Sequence, residues 1–216
     1  MTRAIIFANG VMDGWPVGLH LSADQDLIIA ADGGLHHCRR WHVTPHVLIG
    51  DMDSVDPLEW AALDDSATEI IRHPARKDET DLELALKLAI ARGANDIAVL
   101  GALGARWDMT LSNILLLGAD FLTRHAVRLL DDVYELLCLK GGRQVTLSGR
   151  KGDRISLLPL AGDAVGVSLH GLEYPLNNAT LPLGTSQGVS NVFTGDTAQI
   201  TLKKGMVLIT LTRMER

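Results

Sequence analysis

Short apolar runs alternate with amphipathic stretches through about the first 130 residues, and each run stops at a polar or glycine-rich turn. Ala4–Ala8 reads as a strand ended by Asn9-Gly10, and Leu27–Ala31 as a second, ended by Asp32-Gly33-Gly34. Residues 35–42 read as a helix, and Val47–Ile49 as a third strand running into Gly50-Asp51. Asp56-Pro57 carries the signature of a helix start, an acidic cap with proline at the first helical position. Glu69–Ile71 is a fourth strand, followed by His73-Pro74 and the acidic loop Lys77-Asp78-Glu79-Thr80-Asp81. Thr80-x-x-Glu83 is a capping box ahead of the apolar stripe Leu82, Ala85, Leu86, Ala89 and Ile90, and Gly93 is placed to end that helix. Ile97–Leu100 is a fifth strand that ends in Gly101-Ala-Leu-Gly104. A helix through about Leu122 and the strand Val127–Leu130 follow.

Strands alternating with helices predict a Rossmann-like parallel α/β sheet covered on both faces, over residues 1–132. Past residue 133 the helical stripes stop. Tyr134–Leu139, Val145–Leu147, Arg154–Leu158, Ala164–His170, Ala198–Leu202 and Met206–Thr212 are short runs between Gly, Asp and Asn turns. They predict an all-β sandwich domain over residues 133–216, with Lys140-Gly-Gly-Arg143 and Lys203-Lys204-Gly205 as hairpin turns.

Composition narrows the partners. A 216-residue chain that is 47% apolar can bury a substantial core, and a net charge of −6 argues against nucleic acid. The four Trp and two Tyr are not interleaved with basic residues, which argues the same way. Cys38 and Cys138, 100 residues apart, form no metal or redox spacing and suit a cytoplasmic protein. No apolar stretch is long enough to cross a membrane, and the apolar run after Met1-Thr2-Arg3 is too short for a signal segment.

Ligands of parallel sheets bind beyond the carboxyl ends of the strands. Asp32-Gly33-Gly34, Asp51/Asp53, Lys77–Asp81 and Gly101–Asp108 each follow a strand, so all four polar loops should lie along one edge. Asp51 and Asp53 are two apart and point to one side of an extended segment. Carboxylates brought that close repel each other, and a hard divalent cation removes the penalty. Asp51, Asp53 and Asp81 are therefore the candidate ligands of Mg²⁺, with Lys77 and Arg106, helped by Arg76, as candidate phosphate-neutralising cations. Asp81 and Thr80 can serve both as helix-start residues and as site residues; Asp108 reads equally as an N-cap, and Asn113 is ambiguous. There is no Gly-x4-Gly-Lys-Ser/Thr loop, and the eight histidines form no zinc spacing.

Ala31-Asp32-Gly33-Gly34, Gly50-Asp51-Met52-Asp53-Ser54, Lys77–Asp81, Gly101-x-x-Gly104-x-Arg106-x-Asp108 with Asn113, and Gly188-Val189-Ser190-Asn191 together resemble the thiamin pyrophosphokinase family. The motifs occur in the family's order and span nearly the whole chain. The chain departs from the pattern at Met109, where the family commonly has His, and at Val192, where it commonly has an acid. The resemblance implies a catalytic α/β domain and a thiamin-binding β-sandwich. It implies transfer of the pyrophosphoryl group of ATP to the hydroxyl of thiamin, with AMP released. It also implies ATP contacts from Asp32, Gly33, Asp78, Thr80, Asp108 and Asn113, thiamin contacts from Ser190 and Asn191, and a homodimer whose sites are shared between subunits. A metal-dependent nucleotide-sugar glycosyltransferase using Asp51-x-Asp53 is the alternative enzyme, and a thiamin- or nucleotide-binding sensor the non-enzymatic one.

Overall fold

The computed structural model describes residues 2–55, 63 and 67–213. The chain divides into two compact units, Met1–Leu116 with Arg124–Asp132, and Leu117–Thr123 with Val133–Arg216. The helix expected from Asp56-Pro57 lies outside the described residues.

In the first unit six strands pair in parallel: β1 (Thr2–Phe7), β2 (Asp26–Ala31), β3 (Val47–Gly50), β4 (Glu69–Arg72), β5 (Ala94–Leu100) and β6 (Ala126–Leu130). Their order is β4-β3-β2-β1-β5-β6, so the direction of winding reverses at β1. Consecutive residues Ile5, Ile6 and Phe7 of β1 are all fully buried. Successive strand side chains point to opposite faces, so both faces of the sheet are covered, which is why these strands are continuous apolar runs rather than alternating ones. On one face Ile5, Phe7, Ile28, Ala30, Leu48, Ala98 and Leu100 pack with Leu35 and Cys38 of helix α1 (Leu35–Arg40).

Helix α2 (Asp81–Ala91) packs over β1, β2, β3 and β5. Its buried residues are Leu82, Ala85, Leu86 and Ala89, the expected stripe without Ile90. It starts where the sequence places it, because Thr80 adopts an extended backbone and its hydroxyl accepts the Glu83 N–H at 3.2 Å. The Glu83 carboxylate pairs with Lys87 at 2.8 Å. Helix α3 (Trp107–Leu116) is shorter than expected. Ala119 turns extended after Gly118, and the chain re-forms only a 3₁₀ turn at Asp120–Leu122. Likewise α1 stops at Arg40 instead of residue 42, where His42 has φ 54°.

The second unit holds two antiparallel groups. One is ordered β12-β9-β14-β7, from β7 (Tyr134–Lys140), β9 (Arg154–Pro159), β12 (Asn191–Val192) and β14 (Met206–Thr212). The other is ordered β11-β10-β13-β8, from β8 (Arg143–Ser148), β10 (Ala164–His170), β11 (Leu176–Leu181) and β13 (Thr197–Leu202). Both groups send side chains into one core, among them Leu139, Ile155, Val207 and Ile209 from the first and Leu147, Val167, Leu181 and Ile200 from the second. The expected hairpin turns are corners instead. Strand β7 pairs with β14 and β8 with β13, so Gly141-Gly142 and Lys203-Lys204-Gly205 each carry the chain from one sheet to the other. The corners bond to each other's surroundings: the Gly141 N–H donates to the Gly205 carbonyl at 2.9 Å, and the Gly142 N–H to that of Leu202 at 2.8 Å.

Candidate active site

The loops after five of the parallel strands meet at a cleft of about 380 Å³ in the first unit. Asn9 and Gly10 come from the end of β1, Asp32 from β2, Asp51, Asp53 and Ser54 from β3, and Thr80 and Asp81 from the start of α2. Gly101, Gly104 and Arg106 follow β5, and Met109 and Asn113 project from α3. A cleft beyond the carboxyl ends of parallel strands, beside the point where winding reverses, is where such sheets place ligands.

Three carboxylates converge there. Asp32, Asp51 and Asp53 each offer an oxygen within 4.8 Å of the other two. Asp32 is only 6% exposed, and its Oδ1 is buried without a hydrogen-bond partner. The backbone is built around this crowding. Gly50 has φ 152°, and a Cβ there would lie 2.9 Å from the Cβ of Asp32 and 3.2 Å from Oδ1 of Asp81. Only glycine lets β3 run between the two acids without displacing either.

Asp81, the third ligand expected from sequence, is turned to Lys77, whose Nζ lies 3.0 Å from Oδ1 of Asp81 and 3.4 Å from Oδ2 of Asp51. Burial pushes the Asp81 carboxyl up, the charges of Asp32 and Asp51 push the same way, and Lys77 does not fully offset them. Asp51 moves in the opposite direction. Burial alone would raise it, but the Asp53 N–H and Lys77 outweigh that and hold it below the usual range. Two carboxylates sharing one lysine thus differ because burial weighs on Asp81, while Asp51 has a backbone donor that, with Lys77, outweighs it. Lys77, between them, is held above its ordinary value against the burial that opposes it.

Arg106 lines the cleft, and its guanidinium grips Asp108 through two bonds of 3.1 and 2.5 Å. Both side chains are exposed. Asp108 also accepts the Met109 N–H at 3.0 Å, so it fixes Arg106 and the first turn of α3 instead of lining the cleft itself. Asn113 is buried, and its Nδ2 donates to the Ala102 carbonyl at 2.8 Å. Gly33 is tucked beneath the Asn9 side chain, Asp78 is exposed, and neither lines the cleft.

Ser190 and Asn191 belong to the second unit. Ser190 is exposed at φ 60°, with its N–H donating to Oγ of Ser156 at 3.0 Å. The Asn191 amide is 6% exposed and committed to Tyr174: Nδ2 donates to the Tyr174 carbonyl at 2.8 Å, and Oδ1 accepts the Tyr174 N–H at 3.0 Å. That clamp leaves Tyr174 62% exposed beside Asn191. The sequence singled out neither Tyr174 nor the cleft residues Asn9 and Gly10. An aromatic directly after a Gly-Leu-Glu segment was the available signal for the first, and an Asn-Gly pair at the end of an apolar run for the second.

Comparison with known proteins places this geometry. Residues 19–127 match the family model "Thiamin pyrophosphokinase, catalytic domain", and residues 143–207 match "Thiamin pyrophosphokinase, vitamin B1 binding domain". A protein of Bacillus subtilis (strain 168) named thiamine pyrophosphokinase is 28% identical over 191 residues, covering 88% of this chain and 86% of its own. The crystal structure of thiamine pyrophosphokinase from Bacillus subtilis superposes with a TM-score of 0.86 at 27% identity, covering 100% of both chains. A thiamin pyrophosphokinase family protein from Enterococcus faecalis gives a TM-score of 0.86 at 25% identity, over 99% of this chain and 100% of its own.

Proposed function

The chain belongs to the thiamin pyrophosphokinase family, and from that premise we propose that its cleft moves the pyrophosphoryl group of ATP to the hydroxyl of thiamin, forming thiamin diphosphate and releasing AMP. The observation that carries the reading is the convergence of Asp32 from the end of β2 with Asp51 and Asp53 from the end of β3. Carboxylate oxygens are hard ligands, and the unpartnered Oδ1 of Asp32 is a buried acceptor awaiting a cation, so the donor set fits Mg²⁺. Asp32, Asp51 and Asp53 would hold the ion, with Asp81 beside them. When bound, it supplies charge neutralisation on the phosphate oxygens.

The chain's own residues do the rest. Lys77, fixed by Asp51 and Asp81, presents a positive charge to the group being transferred. Arg106, oriented by Asp108, offers a planar fork to phosphate oxygens at the cleft's rim. As the thiamin hydroxyl attacks the β-phosphorus and AMP departs, these cations take up the developing charge. Thr80, a cap that also faces the cleft, and Asn113 complete the nucleotide surroundings in this reading.

The same proposal extends to the second unit. Thiamin carries a permanent positive charge on its thiazolium ring, and the exposed Tyr174 face is a surface that attracts such a cation. Asn191 then acts by holding Tyr174, and Ser190 by hydrogen bonding. A division into a Rossmann-like catalytic domain over 1–132 and a β-sandwich over 133–216, a homodimer with shared sites, and action in the cytoplasm belong to this reading as well. Among the described residues no helix is long and apolar enough to cross a membrane. The test is product analysis with ATP, Mg²⁺ and thiamin: AMP and thiamin diphosphate in equal amounts are expected. ADP as the nucleotide product, or no turnover, would refute the reaction.

A further inference from the structure

Helix α1 stands directly behind two loops of the cleft. Its His37 side chain is 3% exposed, and the imidazole Nε2 lies 2.9 Å from the Gly10 carbonyl oxygen. A carbonyl oxygen only accepts, so Nε2 carries the proton, and the neutral ring leaves Nδ1 as a bare acceptor. Nδ1 is buried without a hydrogen-bond partner, so a second N–H there would find nothing to donate to. Burial accordingly holds the imidazole below its ordinary range, against the Gly10 bond that acts the other way. The ring is a fixed neutral donor.

What it donates to is part of the cleft wall. The segment after β1 and the segment after β5 form a short ladder: Ala8 N–H to the Leu100 carbonyl at 2.8 Å, Gly10 N–H to that of Gly101 at 2.6 Å, and Val11 N–H to that of Leu103 at 2.8 Å. No side chain fits at its middle rung. A Cβ on Gly10 would lie 2.5 Å from the Gly101 carbonyl oxygen, and one on Gly101 would lie 3.1 Å from Cδ2 and Nε2 of His37. The imidazole is therefore hydrogen-bonded to one side of the ladder and packed against the other. One turn further along α1, Arg40 donates to the Met12 carbonyl at 3.0 Å, extending the grip on the same segment.

We propose that His37 is a positioning residue for the nucleotide: by donating to Gly10 and backing Gly101, it sets where the wall formed by Asn9, Gly10 and Gly101 meets the phosphates of ATP. This rests on the reading of the cleft as the ATP site. The probe is α,β-methylene-ATP with Mg²⁺, an analogue whose carbon bridge replaces the bond that transfer breaks, titrated calorimetrically.

His37→Phe keeps a ring but removes the donor, and it should weaken analogue binding about tenfold, the scale of one lost buried hydrogen bond. KM for thiamin should stay within about twofold. His37→Gln, which restores an N–H donor, should recover binding to within about threefold of the parent. In the ¹⁵N-labelled parent, the His37 Nε2–H resonance should shift on saturation with the analogue, while the Nδ1–H resonance of His125, bonded to the Ala94 carbonyl, should not. This last measurement decides the matter if the Phe variant does not fold. An unmoved His37 resonance overturns the proposal. So does a folded Phe variant that binds as the parent does, or one that loses thiamin and nucleotide affinity together. A parent that binds no analogue overturns the nucleotide reading of the cleft and this proposal with it.

Discussion

Asp32→Asn should make the protein more stable without metal and nearly inactive with it. The substitution changes neither size nor backbone demand: Asp32 sits at φ 47°, a conformation that asparagine tolerates well. It removes one negative charge from a set whose oxygens lie within 4.8 Å of one another. At that distance each like-charge pair costs about 0.9 kcal/mol at the dielectric of water and about 3.5 at an effective value of 20. Asp53 is exposed and Lys77 partly screens Asp51, so the lower half of that range applies. With both pairs taken at the water-like end, relief of roughly 2 kcal/mol is expected, or about 4–8 °C in the melting temperature of a chain this size. Burial of Asp32 acts in the same direction, because an amide is less costly to desolvate than a carboxylate. Thermal unfolding in EDTA should therefore show the variant melting above the parent. Added Mg²⁺ should reverse the ranking, since the parent gains stability in proportion to binding and the variant loses that gain. Turnover should fall by at least about 10²-fold, equivalent to about 2.7 kcal/mol of barrier. A variant that melts below the parent in EDTA, or that keeps full activity at limiting Mg²⁺, would refute the assignment of Asp32 to the cation.

Two further outcomes are expected. Asp26 accepts from Nε and Nη2 of Arg3 at 2.8 and 2.7 Å and from the Ser22 N–H at 2.8 Å. Burial alone would raise its carboxyl, but these partners hold it below the ordinary range. A folded-state value below the unfolded one contributes stability above about pH 4 and loses it as pH falls through the folded value, so Asp26→Asn should cost about 1–3 kcal/mol at pH 7 and progressively less at pH 3.5 by urea unfolding. An equal cost at both values would place the loss elsewhere. If sites are shared across a homodimer, refolding an equal mixture of inactive Asp81→Asn and Asn191→Ala chains should return about a quarter of parental activity, since half of random dimers are hybrids with one intact site each; no return despite demonstrated subunit exchange would mean that each chain builds its own site.

The strands and the edge where their loops meet were legible because a buried parallel strand is a continuous apolar run, and the first polar residue after it marks the strand's carboxyl end. Gly50-Asp51 and Ala31-Asp32 carry that mark equally, and both acids enter the cluster. The start of α2 was legible for a similarly local reason, since Thr80 and Glu83 meet within one turn. What local pattern does not contain is which sheet a strand joins. Lys140–Arg143 and Lys203–Gly205 look like hairpins, yet their flanking strands pair elsewhere. Strand β11 escaped for lack of an apolar alternation: Leu176-Asn-Asn-Ala-Thr-Leu181 is largely exposed and interrupted at Asn178, with φ 50°. Partners distant along the chain were hidden as well. Asn191 reads as a ligand residue until its amide is seen bonded to Tyr174, and His37 reads as a helix residue until its ring is seen at Gly10.

Backbone conformation separates the site from the rest of the molecule by a criterion independent of charge. Six non-glycine residues among those described have left-handed φ angles, and four of them, Asp32, Met52, Ala105 and Ser190, lie within the motifs that carry the proposed chemistry. For Met52 and Ala105 the conformation has no local compensation of the kind that Asn or Asp can supply, so each costs of order 1 kcal/mol against an extended alternative. Met52, at φ 68°, lies between Asp51 and Asp53 and turns the segment sharply. The Asp53 N–H can then donate to Oδ1 of Asp51 at 3.2 Å while both carboxylates stay in the cluster. Ala105 stands between Gly104 and Arg106 and sets the direction in which the guanidinium leaves the loop. A glycine at either position would relieve the strain and loosen the geometry at once. Strain kept where a relaxed residue was available, at positions flanking the acids and the arginine, is the pattern of a loop held for its ligand rather than for its stability.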